Sequence, residues 1–183
     1  MNPAEQLQAL LDREAIRDCL FRYCRGIDRA DEAALRSAYW DDATDCHGAW
    51  NGSAAGFIAQ ALDRLRQGGR RVHQVTNILI ELHGDVAAVE SSFVALQAPA
   101  HAPRQETFLC GRYVDRFERR GTEWRIAART VVYDWIEERE RPELARDDTT
   151  LFGARQPTGR AAPADPVYQL LRDVREAQGA REA

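Results

Sequence analysis

The sequence contains no lysine, because all 25 of its basic residues are arginine. A chain without lysine has no side-chain amine for a Schiff base with a carbonyl substrate or with pyridoxal phosphate. It also lacks the lysine of a Walker-type phosphate loop. The chain itself therefore offers none of these chemistries. Codon usage in a GC-rich genome explains the arginine bias without any functional cause.

Long apolar runs and metal-binding cysteine pairs are missing as well. The longest apolar stretches fall far short of a membrane span, and the chain opens on a charged amphipathic segment rather than on an apolar signal region. Cys19, Cys24, Cys46 and Cys110 form neither a CxxC pair nor a zinc spacing. We therefore expect a reduced, cytoplasmic protein with buried thiols, without a metal site and without membrane association.

The charge balance gives little support for a nucleic-acid partner. The formal net charge is −4, with 29 acidic residues, so no general basic surface is predicted. The basic loop 68–71 (GGRR) is a single loop in an acidic chain and receives little weight. The DDATD motif at 41–45 matches that of terpene synthases, but it lies at a predicted helix-to-strand junction, where acidic caps and turns explain it better.

Helical patterns fill the first third of the chain. Asn2 as cap and a following proline predict a first helix whose apolar period ends near Asp28. A short second helix is predicted from Asp31 to Tyr39, and a third begins after the cap Ser53.

The rest of the main domain is typical of strands. A short strand is predicted over 44–50 and four long strands over 72–82, 86–97, 106–119 and 124–136. Short turns between the long strands make neighbours antiparallel, and their length requires twist and bulges. The predicted class is α+β, with N-terminal helices in the concave face of a strongly curved, mostly antiparallel sheet that encloses an apolar, cone-shaped pocket.

The composition changes again after the fourth long strand. We predict a domain over 1–136 and an extension over 137–183 that packs on the domain or on a neighbour. Asp165 and the following proline predict a terminal helix over about 166–177. The last six residues are expected to fray.

Two segments carry a resemblance to a known family. IRDCLFRYCRGIDRADEAALRSAYWDDAT (16–44) resembles the opening of the SnoaL-like branch of the nuclear transport factor 2-like (NTF2-like) superfamily, and GRYVDRFERRGTEWRIAARTVVYDW (111–135) resembles its last two strands. The resemblance spans about 4–136 and implies the NTF2-like cone. Within the branch the chain is most similar to enzymes of the scytalone dehydratase, bile acid 7α-dehydratase and hexachlorocyclohexane dehydrochlorinase type. Such a fold also hosts isomerases and non-catalytic domains, so function does not follow from it alone.

The resemblance implies catalytic roles for four residues. Those enzymes share an Asp–His dyad inside the cone, which falls here on Asp28 and His73. The bile acid enzyme adds a tyrosine, matched by Tyr23. An arginine on the last strand, used in the bile acid and dehydrochlorinase enzymes, is matched by Arg129. No cofactor is implied.

The residues themselves leave alternatives open. Asp28 ends a helix, where the dipole disfavours a carboxylate, so it either has a cationic partner or faces water. His73 is either a general base or a half-buried strand histidine that is satisfied structurally. Arg129 either anchors a substrate oxygen or pairs across strands. Core packing is favoured for the ring of Tyr23.

Four further residues are predicted to bind substrate. Asn77 and Leu79 share the face of His73 if the strand alternates regularly. His47 is expected at the mouth of the cone with Asp45, either binding substrate or acting as a second catalytic histidine. Tyr39 completes this set.

Three functions follow as hypotheses. The first is a cofactor-independent lyase of the dehydratase type, acting on an apolar steroid-, terpenoid-, aromatic- or polyketide-like molecule. The second is a double-bond isomerase that uses the same base. The third is a non-catalytic ligand-binding protein or an oxygenase small subunit. A homo-oligomer, dimer or trimer, is expected for any of them.

Overall fold

The elements follow the predicted order of helices, strands and a terminal helix. The computed structural model describes residues 2–102, 104–140, 149–150, 153–154 and 157–182. The helices are α1 (Pro3–Arg29), α2 (Glu32–Ser37), α3 (Ala54–Leu65) and α4 (Pro166–Glu182). The strands are β1 (Tyr39–His47), β2 (Trp50–Ser53), β3 (Arg70–His83), β4 (Val86–Ala98), β5 (Gln105–Arg120), β6 (Glu123–Glu140), β7 (Thr149–Thr150) and β8 (Gly153–Ala154).

Side-chain caps set the helix starts. Asn2 and Glu5 form a capping box at α1, in which the Glu5 N–H donates to Asn2 Oδ1 at 2.9 Å and the Asn2 N–H donates to Glu5 Oε2 at 2.8 Å. Asp31 caps α2. The two helices meet closely at Gly26, because a Cβ there would lie 2.5 Å from Leu35 Cγ. The close approach holds α2 under the C-terminal end of α1.

One mixed sheet of six strands forms the second layer. Its order is β2-β1-β6-β5-β4-β3, with β1 parallel to β6 and every other pair antiparallel. The sheet is curved and unclosed, and α1 packs against β3 and β6. The predicted α+β class and the cone architecture are confirmed.

The core lies between this sheet and the helices. Ile16, Leu20 and Tyr23 of α1 are buried against Phe117 and Ile126 of the sheet. Their burial follows the helical period that predicted them, since every third or fourth residue of α1 faces the strands.

Several element boundaries differ from the sequence-based expectation. Tyr39 begins β1 rather than ending α2. The predicted strand over 44–50 is the end of a longer strand and a turn, because Gly48 has φ of 61° and reverses the chain into β2. β6 continues to Glu140, so the sheet extends past residue 136. α4 continues to Glu182, where we expected fraying.

The segment before α4 docks on the end of α1. The Ala162 N–H donates to the Arg29 carbonyl at 2.7 Å, and Arg29 Nε lies 3.2 Å from Asp165 Oδ2. The Tyr168 hydroxyl donates to Asp31 Oδ2 at 2.8 Å. This part of the extension therefore packs on the domain, one of the two predicted alternatives. Within the described ranges, no helix is long and apolar enough to cross a membrane.

Candidate active site

Asp28 and His73 are in direct contact. Asp28 Oδ1 lies 2.6 Å from His73 Nδ1, and Asp28 Oδ2 accepts the His73 backbone N–H at 3.0 Å. Their side chains are only 12% and 8% exposed, respectively. A carboxylate oxygen accepts a hydrogen bond, so the ring proton on this side belongs to Nδ1. Nε2 is then the nitrogen available to a substrate.

The fold explains how two distant residues meet. Asp28 lies in the last turn of α1, and α1 crosses β3 near its start. A carboxylate there opposes the helix dipole, and the donors of His73 compensate for it. Arg71 is near enough to Asp28 to interact, although burial is the main influence on Arg71 and lowers its pKa. The segment 158–161 borders the cleft behind Asp28.

His73 lines a cavity of about 400 Å³ between α1, α3 and the sheet. Its apolar part is formed by Tyr23, Ile27, Trp50, Phe57, Ala61 and Leu65. Its polar part is formed by Gln60, Arg64, Gln67, Arg70, Arg71, Gln97, His101 and Thr107. The expected apolar pocket is therefore apolar over part of its wall and rich in arginine over the rest. None of the described lining residues is acidic.

Tyr23 lines this cavity with a ring that is 1% exposed. It packs edge-on against Tyr113 at 5.6 Å between ring centroids and against Tyr39 at 6.0 Å. Burial raises the pKa of its hydroxyl above the ordinary value, and the Arg129 guanidinium only partly offsets this. Tyr23 is therefore a hydrogen-bond donor and a weak acid.

Arg129 lies behind Tyr23 and does not line the cavity. Its Nε and Nη2 donate to the two oxygens of Asp115 at 2.8 and 2.7 Å, and both side chains are 0% exposed. The guanidinium carbon lies 4.1 Å from the Tyr113 ring centroid and 4.2 Å from that of Tyr23. Arg129 is thus a buried paired residue that supports Tyr23 from the far side. Of the two alternatives, Arg129 therefore pairs across strands, but inside the core and not on an exposed face.

Asn77 and Leu79 do not share the face of His73, so this expectation is wrong. β3 is irregular between Thr76 and Leu79, and Asn77 is in the left-handed region with φ of 49°. The extra residue inverts the alternation. Ile78 and Ile80 therefore face inward, and Leu79 is 65% exposed.

The remaining two predicted substrate-binding residues have different places. His47 lines the cavity, with its ring stacked on Phe57 at 4.5 Å between centroids. Tyr39 is buried below the cavity and donates from its hydroxyl to Asp45 Oδ2 at 2.7 Å. Asp45 is itself fully enclosed, whereas we had expected it at the mouth.

The cavity and its buried polar groups lie within a region that a known family model matches. The model of the SnoaL-like domain matches residues 8–130, more than half of the chain. The chain belongs to the SnoaL-like domain family. No curated protein matches this SnoaL-like chain significantly in sequence.

Solved structures with the same fold include enzymes and a protein of unknown function. A type 2 hexachlorocyclohexane dehydrochlorinase has a TM-score of 0.67 and 22% identity, covering 73% of this chain and 93% of its own. A scytalone dehydratase-like protein from Novosphingobium aromaticivorans has a TM-score of 0.65 and 18% identity, with coverages of 75% and 96%. A function-unknown protein from Mycobacterium tuberculosis has a TM-score of 0.62 and 26% identity, with coverages of 73% and 77%. At these identities the first two likenesses establish the fold.

Sequence reasoning missed much of the wall that α3 contributes to this SnoaL-like cavity. Phe57, Gln60, Ala61 and Arg64 recur at helical spacing on one side of α3 and face the cavity together. Their spacing was visible, but the mixture of apolar and polar types hid a common role. Trp50, on the short β2, gave no such signal.

The arrangement can remove a proton from a bound molecule. A histidine fixed by a carboxylate at one nitrogen has its tautomer set and its other nitrogen free to accept a proton, as acid–base catalysis requires. Among the described residues, no group of three or more possible ligands could hold a metal ion.

Proposed function

We propose that this SnoaL-like protein is a lyase of the dehydratase type that acts on an apolar small molecule without a cofactor. The observation that carries the proposal is the 2.6 Å contact between Asp28 and His73 at the wall of a cavity large enough for a small substrate. His73 removes a proton next to a carbonyl or on an activated ring, and a leaving group departs from the neighbouring carbon.

The lining of the cavity also indicates the shape of the substrate. An apolar ring system fits against Ile27, Phe57 and Leu65, with the Tyr23 hydroxyl as a hydrogen-bond donor. The arginine-rich part of the wall favours a polar or anionic group at the other end of the molecule. We therefore favour steroid-, terpenoid-, aromatic- or polyketide-like molecules that carry such a group.

The dehydrochlorinase and the scytalone dehydratase-like protein support a lyase over other reactions of this fold. An isomerase would use the same base, but its product would have the mass of the substrate. Mass spectrometry of the product therefore separates the two reactions, because loss of water or halide identifies a lyase.

His73→Gln tests the proposal directly. For a substrate that the wild-type protein converts, we expect turnover to fall by about 10²–10⁴-fold, the usual contribution of a general base. His83→Gln is the matched control, since His83 is exposed at the far end of β3. Wild-type turnover in His73→Gln, with an unchanged circular dichroism spectrum, would contradict the proposed mechanism.

We also propose that the protein is a cytoplasmic homo-oligomer. Free thiols at all four cysteines suit a reducing compartment. The outer face of the sheet carries an apolar patch, in which neighbouring strands place Val72, Leu96 and Phe108 side by side. Trp135, which pairs with Cys110 two residues further along β5, is 61% exposed. A second copy of the chain could cover this patch. Light scattering should give a dimer or trimer, and Trp135→Glu should shift the mass towards the monomer.

A further inference from the structure

A second Asp–His pair reaches the same cavity from another strand. His47 Nδ1 lies 3.6 Å from Asp45 Oδ1 on β1. Both atoms are buried, and neither has a hydrogen-bond partner among the described residues. The other carboxyl oxygen of Asp45 is occupied by the Tyr39 hydroxyl at 2.7 Å. His47 and His73 therefore both line the cavity, each with its own carboxylate.

The position of Asp45 favours a proton on Nδ1 of His47 over one on Nε2 in the neutral ring. Asp45 is 1% exposed, and a buried carboxylate needs donors for both oxygens. Tyr39 supplies one donor, and His47 Nδ1 lies 3.6 Å from the second oxygen, just beyond hydrogen-bond distance. The neighbouring Arg129 pairs with Asp115 instead, so the His47 ring is the group left to complete Asp45.

Aromatic neighbours hold the His47 ring in this orientation. Phe57 stacks on it at an interplanar angle of 18°, and Tyr133 meets it edge-on at 6.3 Å between centroids. Neither neighbour carries a charge, although the Tyr133 hydroxyl is titratable and burial raises its pKa further. Asp45 is thus the charged group that faces the ring. Nδ1 of the ring is turned towards Asp45, which leaves Nε2 as the nitrogen available to a molecule in the cavity.

Other proton donors near the cavity are weaker candidates. Burial makes the Tyr23 hydroxyl a poor acid. Arg129 does not line the cavity, and His101 is exposed on the loop after β4. A reaction that removes a proton at His73 and must deliver one elsewhere therefore has His47 as its best donor.

We propose that His47 is the general acid of the reaction, and that the leaving group is accordingly a hydroxyl. This inference rests on the proposed lyase function. His73 Nε2 takes a proton from carbon, the electrons of that C–H bond form the carbon–carbon double bond, and the adjacent C–O bond breaks. His47 Nε2–H protonates the departing oxygen, and water leaves. His73 ends protonated and His47 neutral, and exchange with solvent resets both. A chloride would leave without a proton and would have no need of His47.

The test compares two leaving groups on one carbon skeleton. The probes are a cyclic β-hydroxy ketone that the wild type converts and its β-chloro analogue. We expect His47→Gln to lower turnover of the hydroxy probe by about 10²–10⁴-fold more than turnover of the chloro probe, the range for general acid catalysis. His83→Gln should alter neither rate. Equal losses for both probes in His47→Gln, or no loss for either, would overturn the inference.

A second measurement does not depend on turnover. The chain has four histidines, so their ring nitrogens can be resolved by ¹⁵N NMR and the His47 signals assigned by their loss in His47→Gln. We expect a protonated Nδ1 at neutral pH, which Asp45→Asn should disturb because Asp45 is the positioning residue. An unprotonated Nδ1 in the wild type would overturn the inference even if the protein were an active lyase. A protonated Nδ1 together with wild-type turnover in His73→Gln would instead contradict the lyase proposal.

Discussion

Asp28 holds His73 at two points, because one carboxyl oxygen contacts the ring Nδ1 at 2.6 Å and the other accepts the backbone N–H at 3.0 Å. A single contact would leave the ring free to turn about its own bonds. The second contact ties the end of α1 to the backbone of β3, so helix position and ring orientation are set together. The candidate base is therefore oriented before any substrate arrives.

Asp28→Asn should retain the fold and lose the chemistry. The amide oxygen can still accept the His73 backbone N–H, which leaves the amide NH₂ facing Nδ1. The ring proton then moves from Nδ1 to Nε2, so Nε2 can no longer act as the base. We expect turnover to fall by about 10³–10⁴-fold, as in other enzymes whose orienting carboxylate becomes an amide.

The control for this variant is Asp63→Asn, which changes an exposed residue of α3. Initial rates of product formation and thermal melting curves are the measurements. An Asp28→Asn enzyme as active as Asp63→Asn would show that the dyad does not orient the base.

Removing one member of the buried Asp115–Arg129 pair should lower the unfolding free energy more than removing both members. Arg129→Met leaves the Asp115 carboxyl enclosed without its partner, and we expect a loss of about 3–5 kcal/mol in unfolding free energy. The double variant Arg129→Met/Asp115→Leu removes both charges and should regain much of this loss. Urea denaturation measures both variants. Additive losses in the double variant would show that the two side chains contribute independently.

Alkylation should separate the four thiols into two classes. Burial raises the pKa of Cys19 and of Cys24 to about 12, so neither forms a thiolate at ordinary pH. Cys46 and Cys110 are half-buried. Iodoacetamide at pH 8 should modify the second pair first in the native protein and all four after denaturation, as read by peptide mass spectrometry. Early modification of Cys19 in the native protein would be incompatible with the packing of α1.

Docking of the extension should weaken in acid. Burial alone would raise the pKa of Asp165, but the backbone N–H groups of Arg160 and Val167 and the Arg29 guanidinium outweigh it and hold that pKa below its ordinary value. A depressed carboxyl pKa stabilises the docked state above the ordinary value of about 3.9, and this stability is lost as the pH falls through the folded value.

Hydrogen exchange over residues 160–168 measures this effect. We expect protection there to fall below about pH 4, near the ordinary pKa of an aspartate, before protection of the sheet falls. Asp165→Asn should show the unprotected pattern already at pH 7. Protection that is equal in the variant and the wild type at pH 7 would rule out Asp165 as the anchor.

Local chemistry made much of the helical half predictable. The cap at Asn2 and the cap at Asp31 each act within a few residues, so sequence alone carries their effect. The pairing of Asp28 with His73 is different in kind, because 45 residues separate them. It was predicted by resemblance to a family, since neither residue by itself reveals its partner.

Other parts of the site depend on packing that sequence does not display. Arg129 has the same sequence context whether it faces a substrate or Asp115, and only the position of β5 decides between them. In the sequence, the arginines of the loop 68–71 look like an isolated basic patch. They become part of the cavity wall only when folding places α3 and β4 beside them.

The irregularity at Asn77 divides β3 into two segments that can change independently. On the His73 side, odd-numbered residues face inward, and beyond Asn77 even-numbered residues do so. A deletion of Asn77 would remove the extra residue and restore regular alternation, and Ile78 and Ile80 would still face inward while His73 and Val75 kept their places. The half of the strand that carries His73 therefore keeps its inward-facing residues when the length of the other half changes. The core around Ile80 could vary without moving the proposed base.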